Sequence, residues 1–153
     1  MNFVYDMDGT LIDTKEAVFR AYESANFNMT EELWNKPWQE IGISKEQHDE
    51  KCKIYPHFLK KYSKPLALYY LYQKIPGYIL TGASLDACRE IVKLYNIPHY
   101  MIKCNLTKEE KIQILQGLGY ENCYYYDDDV SIENDIITRT RYTFINANEV
   151  NYG

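Results

Sequence analysis

The chain reads as an α/β protein, an open and mostly parallel sheet with one helical insertion. Three observations predict this. From residue 76 onward, short β-prone runs alternate with amphipathic helical stretches, the rhythm of strand–crossover–strand units. One further strand candidate, Phe3-Val4-Tyr5, stands alone at the start and ends abruptly in Asp6-Met7-Asp8-Gly9-Thr10, which suits a buried parallel strand followed by a glycine turn. Between these two regions, residues 14 to 75 hold no convincing strand but several helix signals. The expected organisation is therefore an α/β core of residues 1–13 and 76–153, with residues 14–75 as a helical insertion.

The elements follow in order. Asp13-Thr14-Lys15-Glu16 predicts a capping box with Asp13 as N-cap, opening a helix whose apolar positions are Ala17, Val18, Ala21, Tyr22 and Ala25. Ser44-Lys45-Glu46-Gln47 predicts a second box, on a helix that Pro56 should interrupt or end. Ser63-Lys64-Pro65 predicts the start of a third helix, rich in Leu and Tyr, closing near Pro76-Gly77. Tyr78-Ile79-Leu80 is the second strand, running into Thr81-Gly82-Ala83-Ser84. Ser84 suits an N-cap for a helix with Leu85, Cys88, Ile91, Val92 and Tyr95 on its apolar face. Tyr100-Met101-Ile102 is the third strand. Thr107-Lys108-Glu109-Glu110 is a third capping box, for a helix reaching Gly117. Cys123-Tyr124-Tyr125-Tyr126 is the fourth strand, running straight into Asp127-Asp128-Asp129. A short helix around Ile136-Ile137 and a fifth strand, Tyr142-Thr143-Phe144-Ile145, complete the pattern.

Composition narrows the function classes. The 153 residues include 22 acidic and 17 basic side chains, a net charge of −5, which argues against a nucleic-acid coat or an anionic membrane surface as partner. No apolar run approaches the ~20 residues that span a bilayer. An acid at position 6 speaks against a secretory signal, so a cytoplasmic location is expected. Cys52, Cys88, Cys104 and Cys123 form no CxxC pair, and His48, His57 and His99 have no close partner, so soft-metal sites are not expected.

Chemistry collects at three strand ends: Asp6 and Asp8, Thr81, and Asp127 with Asp128. In an open parallel sheet ligands bind at that edge. Two carboxylate clusters meeting there repel unless a hard cation lies between them, and oxygen-only ligands favour Mg²⁺. Lys108 begins a helix whose positive dipole end favours an anion. A carboxylate nucleophile, a cation, a hydroxyl and a lysine together describe phosphoryl-transfer machinery. Singly, an acidic turn, a strand-end threonine or a helix lysine is ordinary; their order along the chain gives them weight.

Asp6-Met7-Asp8-Gly9-Thr10-Leu11 resembles the DxDGT motif that opens the phosphatases of the haloacid dehalogenase superfamily. Thr81, Lys108 and Asp127-Asp128 resemble that family's second, third and last motifs, in the right order over nearly the whole chain. The resemblance implies a Rossmann-like core with a small helical cap. It also implies catalysis through an aspartyl-phosphate on Asp6, with Asp8 as general acid/base. Thr81, Gly82 and Lys108 would hold the phosphate. Mg²⁺ would be held by Asp6, Asp8 and Asp127, with Asp128 as alternative or supporting ligand. Lys111 competes with Lys108, and Lys108 is preferred because the first helical turn points at the strand ends. Tyr126 departs from the family pattern by standing where a glycine is usual. A phosphomutase of the same family and a non-catalytic phosphate-binding or signalling module are the alternatives. Lys45 to Lys64 carries six lysines against three acids, and with Trp34, Trp38 and Tyr55 nearby it suits a lid for a small phosphorylated substrate such as a sugar phosphate or nucleotide.

Overall fold

The computed structural model describes residues 2–34, 36–119 and 121–153. Two compact units emerge, residues 1–13 with 64–153, and residues 14–63.

In the first unit, strands β1 (Phe3–Tyr5), β4 (Tyr78–Leu80), β5 (Ile102–Lys103), β6 (Cys123–Asp127) and β7 (Tyr142–Asn146) form one sheet in the order β5-β4-β1-β6-β7. All its pairings are parallel. This is the predicted α/β class. The chain builds outward from β1 to β5, then crosses to the other side of β1 for β6 and β7. The switch in strand order therefore lies between β1 and β6.

Alternation along the strands gives each sheet face its own core. Val4, Leu80, Tyr125 and Phe144 pack with Ile112 and Leu115 of helix α5 (Lys108–Leu118) and Ile136 of helix α6 (Glu133–Arg139). On the other face Tyr5 stacks on Tyr126, with ring centroids 5.2 Å apart, and meets Tyr72 of helix α3 (Ala67–Lys74) edge-on at 5.5 Å. The Tyr5 hydroxyl donates to the Ile75 carbonyl at 2.8 Å, which satisfies a polar group inside an aromatic layer.

Helix α3 marks a shift from the expected boundary. The sequence pattern assigned residues 14–75 to the insertion, whereas residues 64–75 belong with the sheet. Aromatic contact with Tyr5 and a hydrogen bond from the Leu68 amide to Asn151 Oδ1 (2.9 Å) hold them there. Ser63-Lys64-Pro65 does not open that helix: Lys64–Pro65 is a strand, β3, paired antiparallel with β2 (Ile12–Asp13). The same pairing takes Asp13 away from its expected cap, so Thr14 is the N-cap of helix α1 (Lys15–Ser24), with no side-chain bond. Tyr100 and Met101 lie in a 3-10 turn before β5 rather than in a strand. A C-terminal helix, α7 (Ala147–Tyr152), was not anticipated, because six residues carry too little periodicity to register.

Capping chemistry elsewhere agrees with expectation. Thr107 Oγ1 accepts the Glu110 amide at 3.1 Å and the Glu110 carboxylate accepts the Thr107 amide at 3.0 Å. Ser84 accepts the Ala87 amide to start helix α4 (Leu85–Tyr95).

The second unit contains α1 and helix α2 (Lys45–Tyr62), around a small core of Tyr22, Met29, Ile41 and Ile43. The Ser44–Gln47 capping box opens α2. Contrary to expectation, the helix runs through Pro56. An interior proline costs about 3 kcal/mol; burial of Tyr55 and Leu59, one turn apart, contributes about 1.5–3 kcal/mol each and offsets it. Lys51 lies over the Tyr22 and Tyr55 rings at 5.0 and 4.4 Å, and Arg20 over Tyr62 at 4.8 Å. Among the described residues no helix is long and apolar enough to cross a membrane.

Gly77 lets the chain enter β4 against β1, because a Cβ there would stand 1.7 Å from the Phe3 carbonyl oxygen. Gly117, in the last turn of α5, has open space around it. Urea unfolding should therefore show Gly77→Ala destabilised by about 1–3 kcal/mol and Gly117→Ala unchanged or stabilised by up to about 1 kcal/mol. Equal effects of the two substitutions would contradict this account.

Candidate active site

The β1–β6 register places Val4 beside Tyr125 and Tyr5 beside Tyr126, and the Asp6 amide donates to the Tyr126 carbonyl at 2.8 Å. Asp6 and Asp127 therefore leave the sheet side by side. Each stands two residues beyond an α5-facing position, so both carboxylates face α5. Both are buried.

From α5, Lys111 reaches them. Its Nζ lies 2.8 Å from Asp6 Oδ1 and 3.8 Å from Asp127 Oδ2, with only 13% of the side chain exposed. Lys108, the lysine preferred from the sequence, is directed elsewhere. Its Nζ donates to Ser131 Oγ at 2.5 Å and lies 3.6 Å from Asp129. The reason is directional: helical side chains lean toward the helix N-terminus, so the residue one turn in covers the ground in front of the first turn.

The loop after β1 is wound tightly enough to present several groups at once. The Met7 carbonyl accepts the amides of Thr10, Leu11 and Ile12, and the Gly9 amide donates to the Ile12 carbonyl at 2.8 Å. Gly9 has φ +77°, and a Cβ there would stand 2.3 Å from Asp128 Oδ2, so only glycine fits. The Thr10 hydroxyl is 3.1 Å from Asp6 Oδ2 and 3.3 Å from Asp128 Oδ1, and it accepts the Asp128 amide at 3.1 Å. Asn151 of α7 fixes this loop from behind, donating to the Thr10 carbonyl at 2.9 Å. Asp8 is half-buried in the same turn, and its charge acts on Lys111.

Asp127 is held at both oxygens. Oδ1 accepts the Asp129 amide at 2.9 Å and Oδ2 accepts the Tyr125 hydroxyl at 2.6 Å. Thr81 is buried at the end of β4, which adjoins β1. Its Oγ1 accepts the Ala83 amide at 3.1 Å, and its carbonyl accepts the Leu106 amide at 3.0 Å. Gly82 beside it is exposed. The structure thus gathers Asp6, Asp127, Asp128 and Lys111, sets Asp8, Thr81 and Gly82 at the same edge, and leaves Lys108 on Ser131 and Asp129. Thr10 and Tyr125 also touch the cluster. Thr10 was visible only as part of the DxDGT motif, and nothing in the pattern marked Tyr125.

Oxygens of Asp6, Asp127 and Asp128 all lie within 4.8 Å of one another. Burial, together with the Asp6 charge, pushes Asp127 up to about 7 and Asp128 up to about 9. Burial pulls Lys111 down, but Asp6 and Asp127 outweigh it and hold the ammonium above its ordinary range. Burial and the neighbouring acids also keep the Tyr125 proton in place. With all three carboxylates ionised, one ammonium leaves the cluster short of positive charge. The all-oxygen donor set fits a hard divalent cation such as Mg²⁺.

No family model and no curated protein matches the chain. Solved structures do match. It is similar to a haloacid dehalogenase hydrolase (family IA, variant 3) from Entamoeba histolytica, with TM-score 0.69 and 18% identity over 93% of this chain and 81% of that one. It is similar to a candidate phosphoglycolate phosphatase from Lactobacillus plantarum (TM-score 0.66, 11% identity, 93% and 84% covered). CbbY from Rhodobacter sphaeroides, solved in complex with phosphate, also matches (TM-score 0.65, 12% identity, 93% and 84% covered). The chain has the haloacid dehalogenase-like fold.

The raised carboxylates carry a pH signature. Metal-free folded protein keeps protons on Asp127 and Asp128 that the unfolded chain, with carboxyls near 3.8, has released. Stability in EDTA should fall as pH rises from 7.5 to 8.5, above the range where His48, lowered by burial from its ordinary 6.5, acts with the opposite sign. Thermal melts should show a lower Tm at pH 8.5, and Asp128→Asn should raise it there. A Tm that climbs over this interval, or one that Asp128→Asn leaves unmoved, would contradict the assignment of the strain to this cluster.

Proposed function

We propose that the chain is a Mg²⁺-dependent phosphatase that hydrolyses a small phosphate monoester through an aspartyl-phosphate on Asp6. The observation that carries this reading is the Lys111–Asp6 pair beside Asp127 and Asp128, at the switch point of the sheet. The similarity to a candidate phosphatase and to a phosphate-bound protein of the same fold supports it.

In the proposed reaction an Asp6 carboxylate oxygen attacks phosphorus, and the bond to the leaving oxygen breaks as Asp8 protonates it. Asp8 then takes a proton from water, which attacks the phosphorus and releases inorganic phosphate and free Asp6. Lys111 neutralises charge on Asp6 and on the transferring group, the role first assigned to Lys108. The Thr81 side chain and Gly82 amide receive phosphoryl oxygens. Thr10 orients Asp6 through its hydroxyl, 3.1 Å from Oδ2. Asp6, Asp127 and Asp128, with the Asp8 carbonyl, would hold Mg²⁺, which supplies charge neutralisation for the phosphoryl oxygens. The helical unit of residues 14–63 is proposed as the cap. Its lysines suit a phosphorylated sugar or nucleotide, although Lys51 is engaged with Tyr22 and Tyr55. A cytoplasmic location is part of this proposal.

Hydrolysis of p-nitrophenyl phosphate with Mg²⁺ provides the test. Asp6→Asn should reduce turnover to background while circular dichroism shows the fold intact. Lys111→Met should lower kcat by about 10²–10³, whereas Lys108→Met should stay within about threefold. EDTA should abolish turnover and Mg²⁺ restore it. Activity retained in Asp6→Asn, or a Lys108→Met loss equal to that of Lys111→Met, would overturn these roles.

A further inference from the structure

Lys111 stands between two buried carboxylates, yet it sits 2.8 Å from Asp6 Oδ1 and 3.8 Å from Asp127 Oδ2. Depth of burial does not explain the preference. Asp127 is at least as deeply buried as Asp6, and an ammonium carries three donors that suit either acid. What differs is which oxygens are taken: Asp6 has the Thr10 hydroxyl on Oδ2, away from the oxygen that Lys111 meets, whereas Asp127 is bonded at both. Its Oδ2, the oxygen nearer Lys111, accepts the Tyr125 hydroxyl at 2.6 Å, and its Oδ1 accepts the Asp129 amide at 2.9 Å.

We propose that Tyr125 is a positioning residue whose hydroxyl, by occupying Asp127 Oδ2, keeps the Lys111 ammonium on Asp6. The proposal rests on the reading of Asp6 as nucleophile and Lys111 as its charge partner. Tyr125 suits the task because its ring is packed into the core. It is wholly buried in β6, two residues before Asp127 on the same strand face, with its ring 6.5 Å from that of Phe144. A phenylalanine would fill the same core space, so packing does not ask for the hydroxyl. The hydroxyl's effect is on the acid: a strong donor already on Oδ2 makes that oxygen a poorer partner for a second donor. Without it, Asp127 competes for Lys111, and the ammonium leaves Asp6 part of the time. Tyr125 touches no reacting atom in this scheme; it acts through Asp127 and Lys111.

Two measurements test this, with Tyr125→Phe as the variant in both. In steady-state hydrolysis of p-nitrophenyl phosphate, Tyr125→Phe should lower kcat about tenfold with KM within about twofold. In a Lys111→Met background the same substitution should change kcat by less than about twofold, since no ammonium is left to misplace. Equal losses in the two backgrounds, or no loss with Lys111 present, would overturn the proposal. A merely structural tyrosine gives the first of those results. The second measurement needs no turnover. In ¹⁵N-labelled metal-free protein, the Lys111 ammonium resonance, assigned by its loss in Lys111→Met, should shift in Tyr125→Phe. Adding Asp127→Asn should move it back toward the wild-type position. An unshifted resonance in Tyr125→Phe would overturn the proposal. Wild-type protein inactive on every phosphate ester would instead refute the phosphatase reading, and the resonance would still decide where Tyr125 keeps Lys111.

Discussion

Three carboxylates held together under cover are the constraint around which the first unit is arranged. Unit charges about 5 Å apart repel by roughly 3 kcal/mol at the effective dielectric of a protein surface, and burial makes the ionised forms dearer still. The parallel pairing of β1 with β6 creates the problem, since it sends Asp6 and Asp127 out of the sheet as neighbours. The surrounding structure contains it. Lys111 supplies one positive charge, the Thr10 hydroxyl and the Asp129 amide supply donors, and Gly9 supplies room for Asp128. Asn151 ties the Thr10 carbonyl to the Leu68 amide, so even the C-terminal helix helps keep the first loop in place. The charge that remains unbalanced is what the proposed Mg²⁺ would offset.

A cluster built this way costs the fold stability. Burial and the Asp6 charge hold the Asp127 and Asp128 carboxyls above their ordinary range, a cost to the folded state once they ionise. The remainder of the unit is conservative by comparison. One sheet face is sealed by Val4, Leu80, Ile112 and Leu115, and the other by tyrosines, of which Tyr5 finds the Ile75 carbonyl and Tyr69 the Tyr95 carbonyl. The many tyrosines of the chain are thus largely a packing material. Tyr125 is set apart because its buried hydroxyl meets an acid instead of a carbonyl.

Much of this was legible in the residues, and what was not has physical reasons. Strand–helix alternation, two of the capping boxes and the Ser84 cap were readable because they depend on neighbours within four positions. Asp6, Asp127 and Asp128 were readable because acids directly behind apolar strands have few structural uses. Lengths and edges were harder. Asp13 looks like a cap until β3 claims it for pairing, and Pro56 looks like a terminator until the burial of Tyr55 and Leu59 is counted. Residues 64–75 share the helical texture of the insertion, and only their contact with Tyr5 and Asn151 shows which unit owns them. The choice between Lys108 and Lys111 turned on side-chain direction along a helix, which residue spacing does not encode.

The run Asp127-Asp128-Asp129 shows how three identical residues come to differ. Asp127 is the last residue of β6, so pleating directs it to the α5 face, where Lys111 and Tyr125 await it. Asp128 lies past the strand, where its amide reaches the Thr10 hydroxyl and its carboxylate closes on Gly9. Asp129 has turned outward. Its amide returns to Asp127, while its carboxylate accepts the Ser131 amide and hydroxyl and draws Lys108. Those bonds and the Lys108 charge outweigh its partial burial and hold its pKa below the ordinary value. Lys108 is therefore not a failed version of Lys111. It balances the one acid of the three that points away, and so leaves the buried pair of Asp6 and Asp127 to Lys111 alone among the described lysines that pair with them.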